Sequence, residues 1–272
     1  MGAGLGLALS RRGNEVTHLV RNDRPAPSGA GLSIGIAAWR TAVAHASTVL
    51  IATPDAAIAT AAGVLNHLGA LGRQHVVLHL SGLHDRSVLA ILADTGAALG
   101  SLHPLQAVSD PYTAPARLEG AFAGVEGDPR AVECAERLAR DVGMTPVRLP
   151  PGSKPGYHAA AAMTSNLTVA LYALASRIAA GAGVPSHEVE RMYLGLLRGT
   201  VENLEAGGAV AALTGAIRRG DADTVAAHLA ALAPADREIY RLLGLEALRL
   251  AARAGLAPAS LAEVRRRLEQ DP

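Results

Sequence analysis

From Val16 to about Leu149, short apolar runs alternate with helical patterns, and after Pro150-Pro151-Gly152 the alternation stops. The runs are Val16–Val20, Thr48–Thr53, His75–Leu80 and Ala121–Val125. Between them Ala56–Leu68 and Arg86–Asp94 read as helices, with turn signals at Pro54-Asp55 and Ser81-Gly82. Such alternation places strands side by side under covering helices, so it predicts a mostly parallel sheet. From Tyr157 to Leu268 only helical patterns remain, punctuated at Gly181-Ala-Gly183, Gly207-Gly208, Gly220-Asp221 and Pro234. Two domains follow: an α/β domain over 1–150 and an all-helical domain over 151–272. No internal repeat at solenoid spacing interrupts this division.

Composition narrows the partner. A formal charge of +1 with 18% charged residues gives no face for nucleic acid and no polybasic patch for a membrane, so a small molecule is the expected partner. The one cysteine, Cys134, excludes an internal disulfide and a multi-cysteine zinc site and fits a reducing cytoplasm. It lies in Arg130–Arg140, whose apolar spacing predicts an amphipathic helix, and ordinary packing is its expected role. The order of Met1, a glycine-rich stretch and then Arg11-Arg12 is the reverse of a secretory signal. The run Tyr157–Ser176 lacks acidic residues, Lys and Arg and is long enough to raise the question of a membrane span. Its His158, Thr164, Ser165, Asn166 and Thr168 would be costly facing lipid, which favours a helix buried on all sides in the helical domain.

The glycines at the start invite reading Gly2, Gly4 and Gly6 as a dinucleotide fingerprint, but their spacing argues otherwise. In G-x-G-x-x-G the third glycine opens the first helix, and roughly three turns then lead to the glycine before the second strand. Counting back from Gly13 along Leu9, Ala8 and Leu5 makes Gly2 that third glycine. The first strand and the first two glycines are then expected upstream of residue 1. The alternative is a glycine-rich, poorly ordered segment with no nucleotide role. At the end of the second strand such folds place an acid for the ribose of NAD or a base for the 2′-phosphate of NADP. Here the strand ends Leu19-Val20-Arg21-Asn22, with no acid before it, and the Arg21 fork suits a phosphate. NADP is the expected cofactor, with NAD as the alternative; the other reading of Arg21 is a solvated strand-end cation.

At Thr53-Pro54-Asp55, Leu80-Ser81-Gly82, Gly100-Ser-Leu-His-Pro-Leu-Gln106 and Tyr157-His158 followed by Asn166, the chain resembles a group of Rossmann-like proteins carrying a helical domain of unknown function (domain of unknown function 2520). Leu197–Asn203 and Leu213–Asp221 add to the likeness, although Ala216 stands where such proteins usually have proline. These proteins are relatives of pyrroline-5-carboxylate reductase, ketopantoate reductase and 6-phosphogluconate dehydrogenase. The resemblance implies a Rossmann-type parallel sheet followed by an all-α domain of the 6-phosphogluconate dehydrogenase type. It also implies a nicotinamide cofactor across the carboxyl ends of the strands, held by Gly2, Arg21, Asn22, Thr53, Pro54, Ser81 and Gly82, with the helical domain closing over it. The chemistry of the named relatives is hydride transfer to or from a small carbonyl, imine or alcohol.

Hydride transfer to a polar double bond leaves negative charge on oxygen or nitrogen, so donors in a closed pocket are required. Lys154 is the only lysine beside 24 arginines, and lysine can surrender a proton near neutral pH when buried while arginine cannot. It stands four residues before His158, a separation that resembles the catalytic lysine and following asparagine of those relatives; the alternative is a contact to a phosphate or between domains. His158 and Asn166, eight residues apart, would share a helix face about 12 Å apart along the axis and could flank a substrate. Either could instead be a satisfied core residue. His103 is expected just past a strand end, where ligands of open sheets collect, unless Ser101–Pro104 merely shapes a turn. No metal site is expected: H-E-x-x-H is absent, and His75 and His79 would lie far apart along an extended strand. The reading that follows is an NADP-dependent oxidoreductase, dimeric through its helical domain, with a non-catalytic dinucleotide-binding or scaffold protein as the alternative.

Overall fold

A computed structural model describes residues 1–20, 32–34 and 38–270 of the chain. The first half runs α1 (Gly2–Arg11), β1 (Thr17–Leu19), β2 (Leu32–Ile34), α2 (Trp39–His45), β3 (Thr48–Ile51), α3 (Ile58–Leu68), β4 (Val76–His79), β5 (Ala98–Leu105), α4 (Ala114–Leu118), β6 (Phe122–Gly127), α5 (Pro129–Asp141) and β7 (Thr145–Arg148). Short 3₁₀ helices fill Asp55–Ala57 and Arg86–Thr95. The described strands form two sheets: β1 pairs with β2 in parallel, and a second sheet has the order β3-β4-β5-β6-β7. In the larger sheet only β5 and β6 are antiparallel.

Both faces of the larger sheet are covered, and the two-residue period of β4 and β5 shows how. Val76, Leu78, Ala98 and Leu102 pack with Leu5 and Leu9 of α1 and with Ala131, Cys134, Ala135 and Ala139 of α5. Val77 and Leu99 point the other way, into Val43 of α2, Ile58, Ala62 and Leu65 of α3, and Leu89 and Leu92. Strands buried on both faces with helices above and below make the three-layer α/β architecture that the alternating pattern predicts. Cys134 is buried in that core beside the Thr48 hydroxyl at 3.3 Å, as ordinary packing requires. The α1 helix begins at Gly2 and is followed by Gly13 at φ +85, so Gly4 and Gly6 are helical residues, as the spacing argument requires.

The second half is helical: α6 (Lys154–Thr164), α7 (Asn166–Gly181), α8 (Ser186–Ala212), α9 (Gly215–Arg219), α10 (Ala222–Ala231), α11 (Pro234–Arg253) and α12 (Pro258–Glu269). The glycine and proline signals fall where expected: α7 ends at Gly181, α8 is kinked at Gly208, α9 is capped by left-handed Gly220 and α11 starts at Pro234. Secondary structure changes character near residue 150, but the two compact units are Met1–Asn166 and Leu167–Pro272, so α6 belongs to the first. The second unit has its own core of Ala222, Val225, Leu229, Leu248, Val264 and Leu268.

Three expectations are corrected. His103 lies inside β5, not past its end, because β5 continues from Gly100 to Leu105 by pairing with β6. The run from Tyr157 is not one continuous helix: Ser165, with ψ of −77°, separates α6 from α7. Nor is it buried on all sides, since Lys154 and Ala179 alone are buried in the two helices and Val169 stands 67% exposed. Together Lys154–Gly181 are long and apolar enough to cross a membrane by length and composition.

The β5–β6 crossing depends on two glycines. A Cβ on Gly127, which has φ +135, would stand 2.4 Å from the Gly100 Cα and from the Leu99 carbonyl oxygen. No rotamer relieves a clash with backbone. Gly127→Ala is therefore expected to lower unfolding free energy by about 2 kcal/mol or more, against about 1 kcal/mol for Gly152→Ala, which has φ +75 and open space. Urea titration of the two variants checks the difference.

Candidate active site

Parallel pairing brings the carboxyl ends of β3 and β4 to one edge beside the middle of β5; the chain turns there at Ala52–Asp55 and at Leu80–Asp85, while β5 leaves β4 after Ser101 and runs on to Leu105. Ligands of open α/β sheets bind outside such ends. The site is organised by Lys154, the first residue of α6, which is 1% exposed. Its Nζ donates to the Ser81 carbonyl at 2.6 Å and to the Ser101 hydroxyl at 2.7 Å. One side chain thus links α6 to the segment after β4 and to β5. Burial pulls the ammonium down to a pKa of about 8, opposed by the charges of Glu126, Asp85 and Asp55.

The segment after β4 is built from its own side chains. His79 is buried; the Ser81 N–H donates to its Nδ1 at 3.2 Å, so its proton sits on Nε2, which faces the Asp85 carbonyl at 3.1 Å. The Ser81 hydroxyl accepts the N–H groups of Leu83 and His84, both at 3.0 Å. Burial first, and Lys154 second, hold His79 at a pKa of about 4.

Three rings line the adjoining space. The His103 and Tyr157 rings meet edge-on with centroids 5.5 Å apart, and His103 Nδ1 lies 3.0 Å from the Tyr157 hydroxyl. His158 meets His103 in the same manner, also at 5.5 Å, and its Nδ1 is buried without a hydrogen-bond partner. Gly82 passes beneath both imidazoles: a Cβ there would stand 2.2 Å from His158 Nδ1 and 2.8 Å from His103 Nε2. Any side chain at this position would displace the rings. Burial, then Lys154 and His158, lower the His103 pKa to about 4, so its ring is neutral at pH 7.

The structure thus brings together Lys154, Ser81, Gly82, His103 and His158 among the residues singled out in the sequence. On the neighbouring strand end, Thr53 has a buried hydroxyl with no partner, and Pro54 opens the 3₁₀ turn at Asp55. Gly2 abuts the same end, since a Cβ on it would stand 2.4 Å from the Ala52 Cβ. Asn166 is exposed at the start of α7, past the break at Ser165, and no hydrogen bond among the described residues ties it to the cluster. Arg21 and Asn22 lie outside the described residues. Sequence reasoning missed Tyr157, Ser101 and His79 as parts of the site. The Tyr157-His158 pair was a visible signal, but its contact to His103 crosses 54 positions.

The depressed pKa values fix the sign of a pH dependence. Between pH 4 and 6.5 the unfolded chain binds protons at His79 and His103 that the folded chain refuses, so stability rises with pH across that window and is lost as pH falls through it. Each shift corresponds to about 3 kcal/mol. Lys154 acts likewise between pH 8 and 10.5, where deprotonation relieves the burial of charge. Denaturant unfolding from pH 4 to 10.5 should show both rises, with the alkaline one absent in Lys154→Met.

Residues 121–247 match the family described as Domain of unknown function (DUF2520). Among curated proteins none matches the chain. Solved structures do. Protein TM1727 from Thermotoga maritima is 24% identical, with 97% of this chain and 98% of that chain covered at a TM-score of 0.67. An inferred NADP oxidoreductase of Bacteroides fragilis, BF3122, is 20% identical, with 90% and 93% covered at 0.67. A pyrroline carboxylate reductase from Plasmodium falciparum, with NADP bound, is 9% identical, with 97% and 94% covered at 0.57. The resemblance carried by the sequence motifs is borne out: the chain carries a DUF2520 match within the Rossmann-type fold, with a C-terminal helical region, of dinucleotide-dependent reductases.

Proposed function

We propose that the chain is an NADP-preferring oxidoreductase that transfers a hydride to or from a small carbonyl, imine or alcohol substrate at the carboxyl edge of β4 and β5. The observation that carries this reading is the buried Lys154 ammonium fixed between Ser81 and Ser101, with His103, Tyr157 and His158 beside it. A fold alone assigns no chemistry; a desolvated lysine among neutral rings at the ligand-binding edge of a sheet is the sort of place where perturbed groups serve a reaction.

The residues present fit a dinucleotide. The Thr53 hydroxyl is buried and unpaired at the end of β3, and α1 opens beside it, its first N–H groups free of intrahelical partners. Gly2, Thr53, Pro54, Ser81 and Gly82 would hold the cofactor, and Arg21 would take the 2′-phosphate. Bound in reduced form, NADP supplies the hydride. His103 and His158 supply hydrogen bonds to the negative charge that develops on substrate oxygen or nitrogen, which then takes a proton from water. In this reading Lys154, enclosed and with two of its N–H groups committed, pins the strand ends, and its charge adds to the burial that keeps His103 neutral.

The chain is proposed to act as a homodimer in the cytoplasm. Helices of the second unit leave large apolar side chains exposed, among them Val169, Met192, Leu196 and Leu242. Light scattering should return twice the 27.7 kDa of one chain.

Fluorescence titration is expected to show NADPH binding more tightly than NADH; equal affinities would overturn the role of Arg21. A screen of small ketones, aldehydes and cyclic imines, followed by NADPH consumption, should find a substrate whose turnover falls about 10²–10⁴-fold in His103→Ala. Failure of both nucleotides to bind would overturn the oxidoreductase reading.

A further inference from the structure

We propose that Glu126 is a positioning residue that acts through Lys154: its carboxylate is the counter-charge that keeps the buried amine an ammonium. The sheet register brings the two together. His79 of β4 pairs with Ser101 of β5, and Ser101 pairs with Glu126 of β6, so the three stand side by side across the sheet. Residues paired in this way project from the same face, and the Cβ atoms of Ser101 and Glu126 stand about 5 Å apart. Lys154 lies over the middle of the row, its Nζ 2.7 Å from the Ser101 hydroxyl. The Glu126 carboxylate also reaches toward the other anchor of the lysine. Its Oε2 accepts the Arg86 N–H at 3.4 Å, at the end of the segment whose Ser81 carbonyl accepts from Nζ. A carboxylate that starts opposite Ser101 and ends at that segment is held beside the ammonium.

The second oxygen of that carboxylate has no other partner. Glu126 Oε1 is buried without a hydrogen bond, and the guanidinium of Arg86 is engaged by Asp128 at 3.2 Å. Away from solvent, opposite charges attract over distances longer than a hydrogen bond. The two hydrogen bonds of Lys154 do not by themselves require a charge, because a neutral amine has two N–H groups to give. The third proton is the one at stake. The groups that face it are Glu126 from β6, Asp85 from the segment after β4, Asp55 from the turn after β3, and the rings of His79 and His103. Burial brings the lysine pKa to about 8; Glu126 opposes it most, then Asp85 and Asp55. Asp85 is already committed, since its Oδ1 accepts the N–H and the hydroxyl of Ser87. At pH 7 the amine is thus about nine-tenths charged, and a further loss of one unit would leave it about half charged. With Glu126 in place the site keeps a fixed positive charge among neutral rings, which favours negative charge developing on a substrate.

The proposal rests on the functional reading only for its effect on rate; the charge of Lys154 is measurable without cofactor or substrate. Because the chain has one lysine, carbon NMR of protein labelled at lysine Cε gives one side-chain signal, whose shift follows the amine proton. Its titration should centre near pH 8 in the wild type and about one unit or more lower in Glu126→Gln, which keeps the shape and removes the charge. Glu126→Asp, with the charge restored on a shorter arm, should recover part of that shift. Asp85→Asn should move the titration less than Glu126→Gln does. Urea unfolding at pH 7 supplies a second measurement. Glu126→Gln should lower resistance to urea in the wild-type chain and raise it in Lys154→Met, where the carboxylate is left buried without its cation. Should Glu126→Gln alone fail to fold, the rise in the Lys154→Met background decides. With a substrate from the screen, the alkaline fall of kcat should move down in pH by the same interval as the lysine titration. A titration unmoved by Glu126→Gln, a larger shift in Asp85→Asn, or lowered urea resistance in both backgrounds overturns the inference while leaving the oxidoreductase reading intact. Absence of any substrate together with the expected titrations overturns that reading and leaves the inference standing.

Discussion

A positive charge removed from water governs this α/β unit. Lys154 gives up the hydration of its ammonium when α6 docks, and what it receives instead is one backbone carbonyl, one hydroxyl and the distant attraction of Glu126, Asp85 and Asp55. Such an arrangement contributes little net stability compared with an apolar side chain of the same shape. Its value lies in direction. A leucine would fill the space, but only a group that must be hydrogen-bonded at fixed angles ties the helix to two particular strand ends.

The charge also sets the chemistry of its neighbours. His79 and His103 both stay neutral, because burial disfavours their charged forms and Lys154 adds to that preference. Neutrality is what lets His79 accept from the Ser81 N–H on one nitrogen and face the Asp85 carbonyl with the other; a doubly protonated ring could not accept. With Ser81 in turn accepting two backbone N–H groups on its hydroxyl and Lys154 on its carbonyl, the segment after β4 is held by its own side chains and by α6. A network held in this way is rigid. Gly82 can therefore pass close beneath two imidazoles and stay there.

The parts of this arrangement differed in how visible they were beforehand. Strands β3, β4 and β6 and the helix breaks at Gly181, Gly208, Gly220 and Pro234 follow from periodicity and backbone preference, which are local properties. The full length of β5 did not, because Pro104 reads as a turn residue; its tolerance depends on the pairing with β6, which local sequence does not announce. β7 was hidden for a related reason, since Pro146 interrupts a four-residue strand that is mostly exposed. In the site, Lys154 stood out by being the only lysine, and Ser81, Gly82, His103 and His158 by their motifs. Tyr157, Ser101 and His79 gain their roles through contacts to residues far away or around a bend in the chain. Those roles belong to tertiary structure, and no spacing rule reaches them.

The scarcity of lysine has one more result. The chain carries a single side-chain amine, and that amine is sealed beneath α6. Acylating reagents meet no lysine on the surface, so modification of Lys154 must wait until the helix lifts from the strand ends. Local opening of this sort has its own free energy, separate from global unfolding. The same residue that fastens the site is thus a built-in clock for how often it comes undone.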